Sequence, residues 1–120
     1  MSPTQRSLQK LRAAGYLVSV VERWNSYVKI RQDLFGWMDL LAVRGNETIG
    51  VQCTTMSHVG ERAHKIIGQQ SADLWLEGGT RRILIHGWRK IGPRGKRKVW
   101  ECHEREIMRD GVQTPTYTID

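Results

Sequence analysis

The reading of one stretch decides the fold: Asp33–Thr55, DLFGWMDLLAVRGNETIGVQCTT. Residues Trp37 to Val43 are apolar apart from Asp39, and a β pattern resumes from Thr48 to Cys53 after RGNE. Gly45-Asn46 in that connection tolerates positive φ, so the two arms predict an antiparallel hairpin. Side chains alternate along a strand, which sends Gln52 and Thr54 to one face and Val51 and Cys53 to the other. Asp39 is the anomaly. A charge inside an apolar arm is costly unless it is paired, metal-bound or at the rim of the sheet, and capping or pairing with an arginine is as open to it as ligating an ion.

Outward from the hairpin, Ser2 to Ala14 combines a Ser or Thr cap, Pro3 in the first turn, Leu8 and Leu11 three apart, and Gly15 as a stop, the pattern of a short amphipathic helix. Tyr16 to Val21 is a β-branched and aromatic run that fits a strand. SYVKIRQ reads equally as a loop or a short strand edge. Downstream, Ala63, Ile66, Ile67, Ala72, Leu74 and Trp75 recur at helical spacing and Gly78-Gly79 ends them, which predicts one helix over 60–77. RRILIHGWRK and KRKVWECHE are two further strands around a Pro93/Gly95 turn, and DGVQTPTYTID, without periodicity, reads as an extended tail. The expected fold class is α/β, α-β-β-β-α-β-β, with a central mixed sheet flanked by helices in one domain over 1–120.

Composition narrows the function classes. Hydrophobic residues make up 39% of the chain, with five Trp and twelve Gly, and no apolar run approaches the length needed to span a bilayer. The N-terminal MSPTQRSLQKL lacks the apolar core of a secretory signal, and Cys53 and Cys102 form no CxxC or Cys/His set. A reducing, cytoplasmic protein without zinc and without a membrane partner is expected. Nineteen Lys/Arg against twelve Asp/Glu give a net charge of +7, which favours polyanions through release of condensed counterions and makes DNA the expected partner. The excess concentrates in Arg81, Arg82, Arg89, Lys90, Arg94, Lys96, Arg97 and Lys98, with no acid between them. These are the candidate DNA-binding residues; a solvated basic turn is the plain alternative. A second copy of the chain is a further candidate partner.

On these residues the chain resembles the PD-(D/E)XK nuclease superfamily, which includes restriction enzymes and archaeal-type Holliday junction resolvases. In that pattern an Asp on one hairpin strand is followed on the next by an acid-x-Lys, within a core of helix, three strands, helix, strand. Asp39 stands at the Asp and Gln52-Cys53-Thr54 where the acid-x-Lys belongs, so Gln replaces an acid and Thr replaces Lys. The resemblance implies a metal-dependent endonuclease using Mg²⁺ or Mn²⁺, similar to resolvases and compact phage-type nucleases and active on branched or structured DNA. It implies Asp39, Gln52 and Glu22 as metal ligands, Glu22 resembling the additional acid that many members contribute, with Asp33 competing for that place.

Because Thr54 carries no positive charge, the resemblance leaves the cation near the phosphate to Lys65 on the following helix, or to Arg62. Asp39, Gln52, Thr54, Lys65 and Glu22 are thus the candidate catalytic residues, and solvated helix positions are the plain alternative for Lys65 and Arg62. A catalytically inactive nuclease-like module that binds DNA or a partner is the rival function. His58 and His64, six apart, fall on different helix faces and argue against a joint metal site. Of the tryptophans, Trp24 and Trp88 are the candidates for exposure and base stacking, while Trp75 and Trp100 belong with core elements.

Overall fold

The protein is described by a computed structural model, which covers residues 1–109 in full and 113–119 in backbone. Chain order is α1 (Pro3–Ala13), β1 (Leu17–Val20), β2 (Arg23–Asn25), β3 (Ile30–Gln32), β4 (Leu40–Arg44), β5 (Glu47–Thr55), a 3₁₀ turn (Met56–His58), α2 (Val59–Ile67), α3 (Gln70–Leu76), β6 (Arg81–Ile91), β7 (Val99–Ile107) and β8 (Gln113–Ile119). Six strands form one mixed sheet in the order β1-β4-β5-β6-β7-β8, with β5 and β6 parallel and every other pair antiparallel. The class is α/β.

Local chemistry explains the first half. Ser2 caps α1, its Oγ accepting the Gln5 N–H at 3.2 Å, Pro3 supplies a preset φ, and Gly15 at φ 93° turns the chain out of the helix. Gly45 at φ 56° makes the two-residue turn between β4 and β5 with positive φ at its first central position only, the geometry that matches strand twist in hairpins. Arg44 and Glu47 close that turn with an ion pair at 2.8 Å, and the Tyr16 hydroxyl donates to Glu47 at 2.8 Å.

The sheet is covered on both sides. One face buries Leu8 and Leu11 of α1 against Val18, Ala42, Ile49, Val51 and Leu84. The other buries Val59, Ala63 and Ile66 of α2, with Ala72 and Leu76 of α3, against Trp37, Met38, Ile83 and Ile85. Two glycines set how closely this second layer approaches. A Cβ at Gly87 would collide with Val59 Cγ2, and one at Gly50 would stand 2.5 Å from the Trp37 ring, so both positions require a missing side chain.

Two expectations need correction. The helix expected over 60–77 is two helices: Gly68 ends α2, and Gln69 is extended at φ −101°, ψ 131°. The break has a packing reason, because the Gln69 amide donates to Gly36 O at 3.3 Å and Ser71 Oγ donates to Phe35 O at 2.8 Å. These bonds clamp the 33–37 loop. The expected tail is in fact strand β8, paired with β7 from Glu101↔Ile119 to Ile107↔Gln113; residues 110–112 and 120 of that stretch lie outside the described residues. Pro115 is tolerated because β8 is an edge strand. SYVKIRQ, open between loop and strand edge, supplies both: a turn over 26–29 and then β3, which pairs with β2 in a separate two-stranded hairpin between β1 and β4.

Candidate functional site

Asp39 occupies the position just before β4, where its backbone already belongs to the sheet: its N–H donates to Val51 O at 2.9 Å and its carbonyl accepts the Val21 N–H at 2.8 Å. The second contact fixes the start of the segment that carries Glu22. Asp33 is brought back by a tight loop in which Leu34 and Met38 exchange two backbone bonds of 2.9 Å, with Phe35 at φ 57° and Gly36 at φ 85°. Glu22, Asp33 and Asp39 therefore converge, each offering one carboxylate oxygen within 4.8 Å of the others.

Within this group Asp39 is the buried member, only 3% exposed. Its Oδ2 accepts two bonds of 2.7 Å, one from the Cys53 backbone N–H and one from Gln52 Nε2. Burial raises its pKa to about 8, helped by a hydrogen bond with Asp33 and by the charges of Asp33 and Glu22, and opposed by the Cys53 N–H. Without a counter-charge the group therefore favours a protonated Asp39, the response expected of a buried carboxyl with other acids beside it. Gln52 is buried beside it, and its Oε1 has no hydrogen-bond partner among the described residues.

The other expected site residues divide. Thr54 is buried two positions beyond Gln52, on the same face of β5. Lys65 is exposed on α2, and no hydrogen bond or ion pair joins it to the acids among the described residues. Arg62 is the more inward cation, half-buried with its Nε lacking a hydrogen-bond partner. His58 and His64 are both exposed, and His58 pairs with Glu61 at 3.3 Å.

The basic run does not form one free surface. Arg81 Nε donates to Trp75 O at 2.6 Å, Arg82 pairs with Glu106 at 2.8 Å and Glu47 at 3.4 Å, and Arg89 pairs with Glu101 at 2.7 Å. Lys90 lies 5.3 Å over the Trp100 ring, which Arg6 also covers at 3.6 Å. Lys98 donates to Gly92 O at 3.1 Å, leaving Arg94, Lys96 and Arg97 exposed in the β6–β7 turn. The acids that neutralise the run come from β5 and β7, across the sheet.

Trp88, expected outside, is 2% exposed, and its Nε1 donates to Ser7 Oγ at 2.9 Å. Flanking Gly87 and Arg89 suggested a surface turn, but β6 runs straight through them. Ser7 Oγ also meets His86 Nδ1 at 2.9 Å, and His86 Nε2 meets Glu104 at 3.0 Å. This chain of serine, imidazole and carboxylate has the residue types of a hydrolase triad. Ser7 and His86 are wholly buried, so the group pins α1 to the sheet instead of meeting a substrate.

Sequence reading set Glu22 and Asp33 against each other, whereas the fold brings both to Asp39. The available signal was the Phe35-Gly36 pair, a turn able to fold Asp33 back over Asp39. The chain matches no family model, no curated protein and no solved structure. No helix among the described residues is long and apolar enough to cross a membrane.

Proposed function

We propose that this protein is a metal-dependent DNA endonuclease with a restriction-endonuclease-like core, and that its centre is the carboxylate group Glu22, Asp33 and Asp39. The observation that carries the reading is their convergence within 4.8 Å at the mouth of the β4–β5 hairpin. Oxygen-only donors suit a hard cation, Mg²⁺ or Mn²⁺, and the spread is close to the roughly 4 Å that separates opposite ligands of such an ion. Burial and the neighbouring acids together raise the pKa of Asp39, and a bound cation would offset both. When bound, the cation would supply Lewis-acid stabilisation of the phosphate and a more acidic water.

The chain's own groups have definite tasks in this scheme. The Cys53 N–H and Gln52 amide hold Asp39 in one orientation through 2.7 Å bonds. The buried Gln52 Oε1 is a neutral oxygen standing where the superfamily has an acid, so the charge that Gln52 lacks is made up by Asp33. Asp39 must release its proton to ligate, which makes cation affinity rise with pH up to about 8. Arg62 takes precedence over the exposed Lys65 as the cation near the phosphate.

A second reading, a nuclease-like module that binds DNA without cutting it, is favoured by Gln52 donating its amide to Asp39 instead of offering its carbonyl. One assay separates the two: labelled duplex, single-stranded and branched DNA with Mg²⁺, Mn²⁺ or EDTA, wild type against Asp39→Asn. Cleavage that needs metal and falls at least about a hundredfold in the variant is expected, on the scale of losing one preorganised electrostatic stabiliser of the reacting phosphate. Metal-dependent cleavage unchanged in Asp39→Asn would remove this site from consideration.

A further inference from the structure

The β2–β3 hairpin stands outside the six-stranded sheet, yet it carries Tyr27, the most exposed large hydrophobic side chain of the described residues, with a tryptophan and an isoleucine exposed beside it. Tyr27 is 97% exposed, Trp24 57% and Ile30 51%. Exposed aromatic clusters of this kind mark binding surfaces in folded proteins. The hairpin is also braced: Asn25 Oδ1 accepts the Tyr27 N–H at 2.9 Å, Asn25 Nδ2 donates to Gln32 Oε1 at 3.0 Å, and Lys29 turns the chain at φ 54°. The aromatics are therefore displayed on a built platform.

Charge narrows the occupant. Arg23, Lys29 and Arg31 lie on the hairpin with no acid between Arg23 and Gln32, and among the described residues none of the three joins an ion pair. A hollow of about 270 Å³ opens between Arg23, Trp24, Asn25, Tyr27 and Gln32, room for one nucleobase. Both stems of the hairpin end at the acids, since Glu22 precedes β2 and Asp33 follows β3. Cations with interleaved aromatics suit a strand whose phosphates and base faces are both accessible. A closed duplex offers its phosphates but not its base faces.

We propose that the β2–β3 hairpin grips an unpaired nucleic-acid strand, with Trp24 and Tyr27 stacking on bases and Arg23, Lys29 and Arg31 neutralising phosphates. The inference deepens the nuclease reading by giving its centre a substrate class, DNA with unpaired bases at or beside the cut, and rests on that reading for the cutting alone.

The test is binding of the full chain in EDTA, where nothing is cut, to labelled single-stranded DNA, single-stranded RNA of the same sequence and perfect duplex DNA, read by fluorescence anisotropy. Trp24→Ala and Tyr27→Ala should each weaken binding of single-stranded DNA about 5- to 150-fold, the equivalent of about 1–3 kcal/mol per stacked base, and a loss confined to RNA would overturn the DNA assignment. Duplex affinity should change less than about threefold, since stacking contributes nothing there. Lys29→Ser with Arg31→Ser should flatten the single-strand salt slope by about 1.4, at about 0.7 per phosphate. Because the hairpin lies outside both cores, circular dichroism melting should show all variants folded.

A Trp24→Ala/Tyr27→Ala double variant that keeps its single-strand affinity, or loses duplex and single-strand affinity alike, overturns the proposal. A wild type that sediments as a dimer, with the double variant a monomer of unchanged single-strand affinity, also overturns it and assigns the patch to a second copy. Cleavage by Asp39→Asn does not enter these readouts, so failure of the metal centre and failure of the grip are told apart.

Discussion

Replacing Asp39 by Asn should make the metal-free protein more stable while leaving it unable to respond to metal. A carboxyl whose pKa moves from 3.8 to about 8 on folding costs, at about 1.36 kcal/mol for each tenfold change in acidity, up to roughly 6 kcal/mol of stability. The sign follows from proton counting. Below pH 4 the folded and unfolded chains are both protonated at this position and the cost vanishes; from pH 4 to 8 the unfolded chain releases a proton that the folded chain keeps, so stability falls as pH rises; above pH 8 the cost is constant. Asn does not titrate, and its side-chain oxygen can accept the same two N–H groups that now meet Oδ2 at 2.7 Å.

With the burden shared among three acids, about half of the ceiling should be realised, a gain of about 2–4 kcal/mol at pH 8. For a chain of 120 residues that raises Tm by roughly 8–16 °C. Urea and thermal unfolding in EDTA from pH 4 to 9 would measure it, and the difference between variant and wild type should grow with pH and level off near 8. Saturating Mn²⁺ or Mg²⁺ should then stabilise the wild type by about 2–3 kcal/mol at a hundred times Kd, and the variant hardly at all. A variant no more stable than wild type at pH 8 would refute the picture of a carboxylate held under strain.

Two further outcomes follow from the contacts. Ser7→Ala strips His86 Nδ1 and Trp88 Nε1 of their shared partner in a sealed site, so urea unfolding should show a loss of about 2–4 kcal/mol, and a loss under about 1 would mean water replaces the hydroxyl. Replacing Arg94, Lys96, Arg97 and Lys98 by Ser should flatten the duplex-DNA salt slope by about three, at about 0.9 per phosphate, because all four are exposed and Lys98 alone among them is tied back, to Gly92 O. Unchanged affinity and slope would shift the duplex face toward α1 and its Arg6, Lys10 and Arg12.

What could be read from the sequence was what local rules control. The β4–β5 hairpin was legible because Gly45-Asn46 and two apolar arms agree on one turn, and Asp39 because a lone carboxylate in such an arm has few inexpensive homes. The break between α2 and α3 was not, since Gly68 sits inside an unbroken apolar periodicity and the cause, Gln69 docking on Gly36, lies 33 residues away. The basic run looked unopposed because linear spacing hides cross-strand partners: Arg89 faces Glu101 and Arg82 meets Glu106 only after β6 and β7 pair. Trp88 was misplaced for a related reason, its neighbours being turn-like while its own strand alternation pointed inward.

The contact between Gly50 and Trp37 carries a consequence for how this chain can vary. A β-carbon at position 50 needs a smaller ring at 37 and a displaced Met38 methyl, and the tryptophan at 37 needs position 50 bare. The glycine can therefore change only together with the tryptophan, which makes the two positions one unit of variation. Trp37 stands two residues before Asp39 in the loop that folds Asp33 back, so a lineage drifting through that pair would also be relocating its acids.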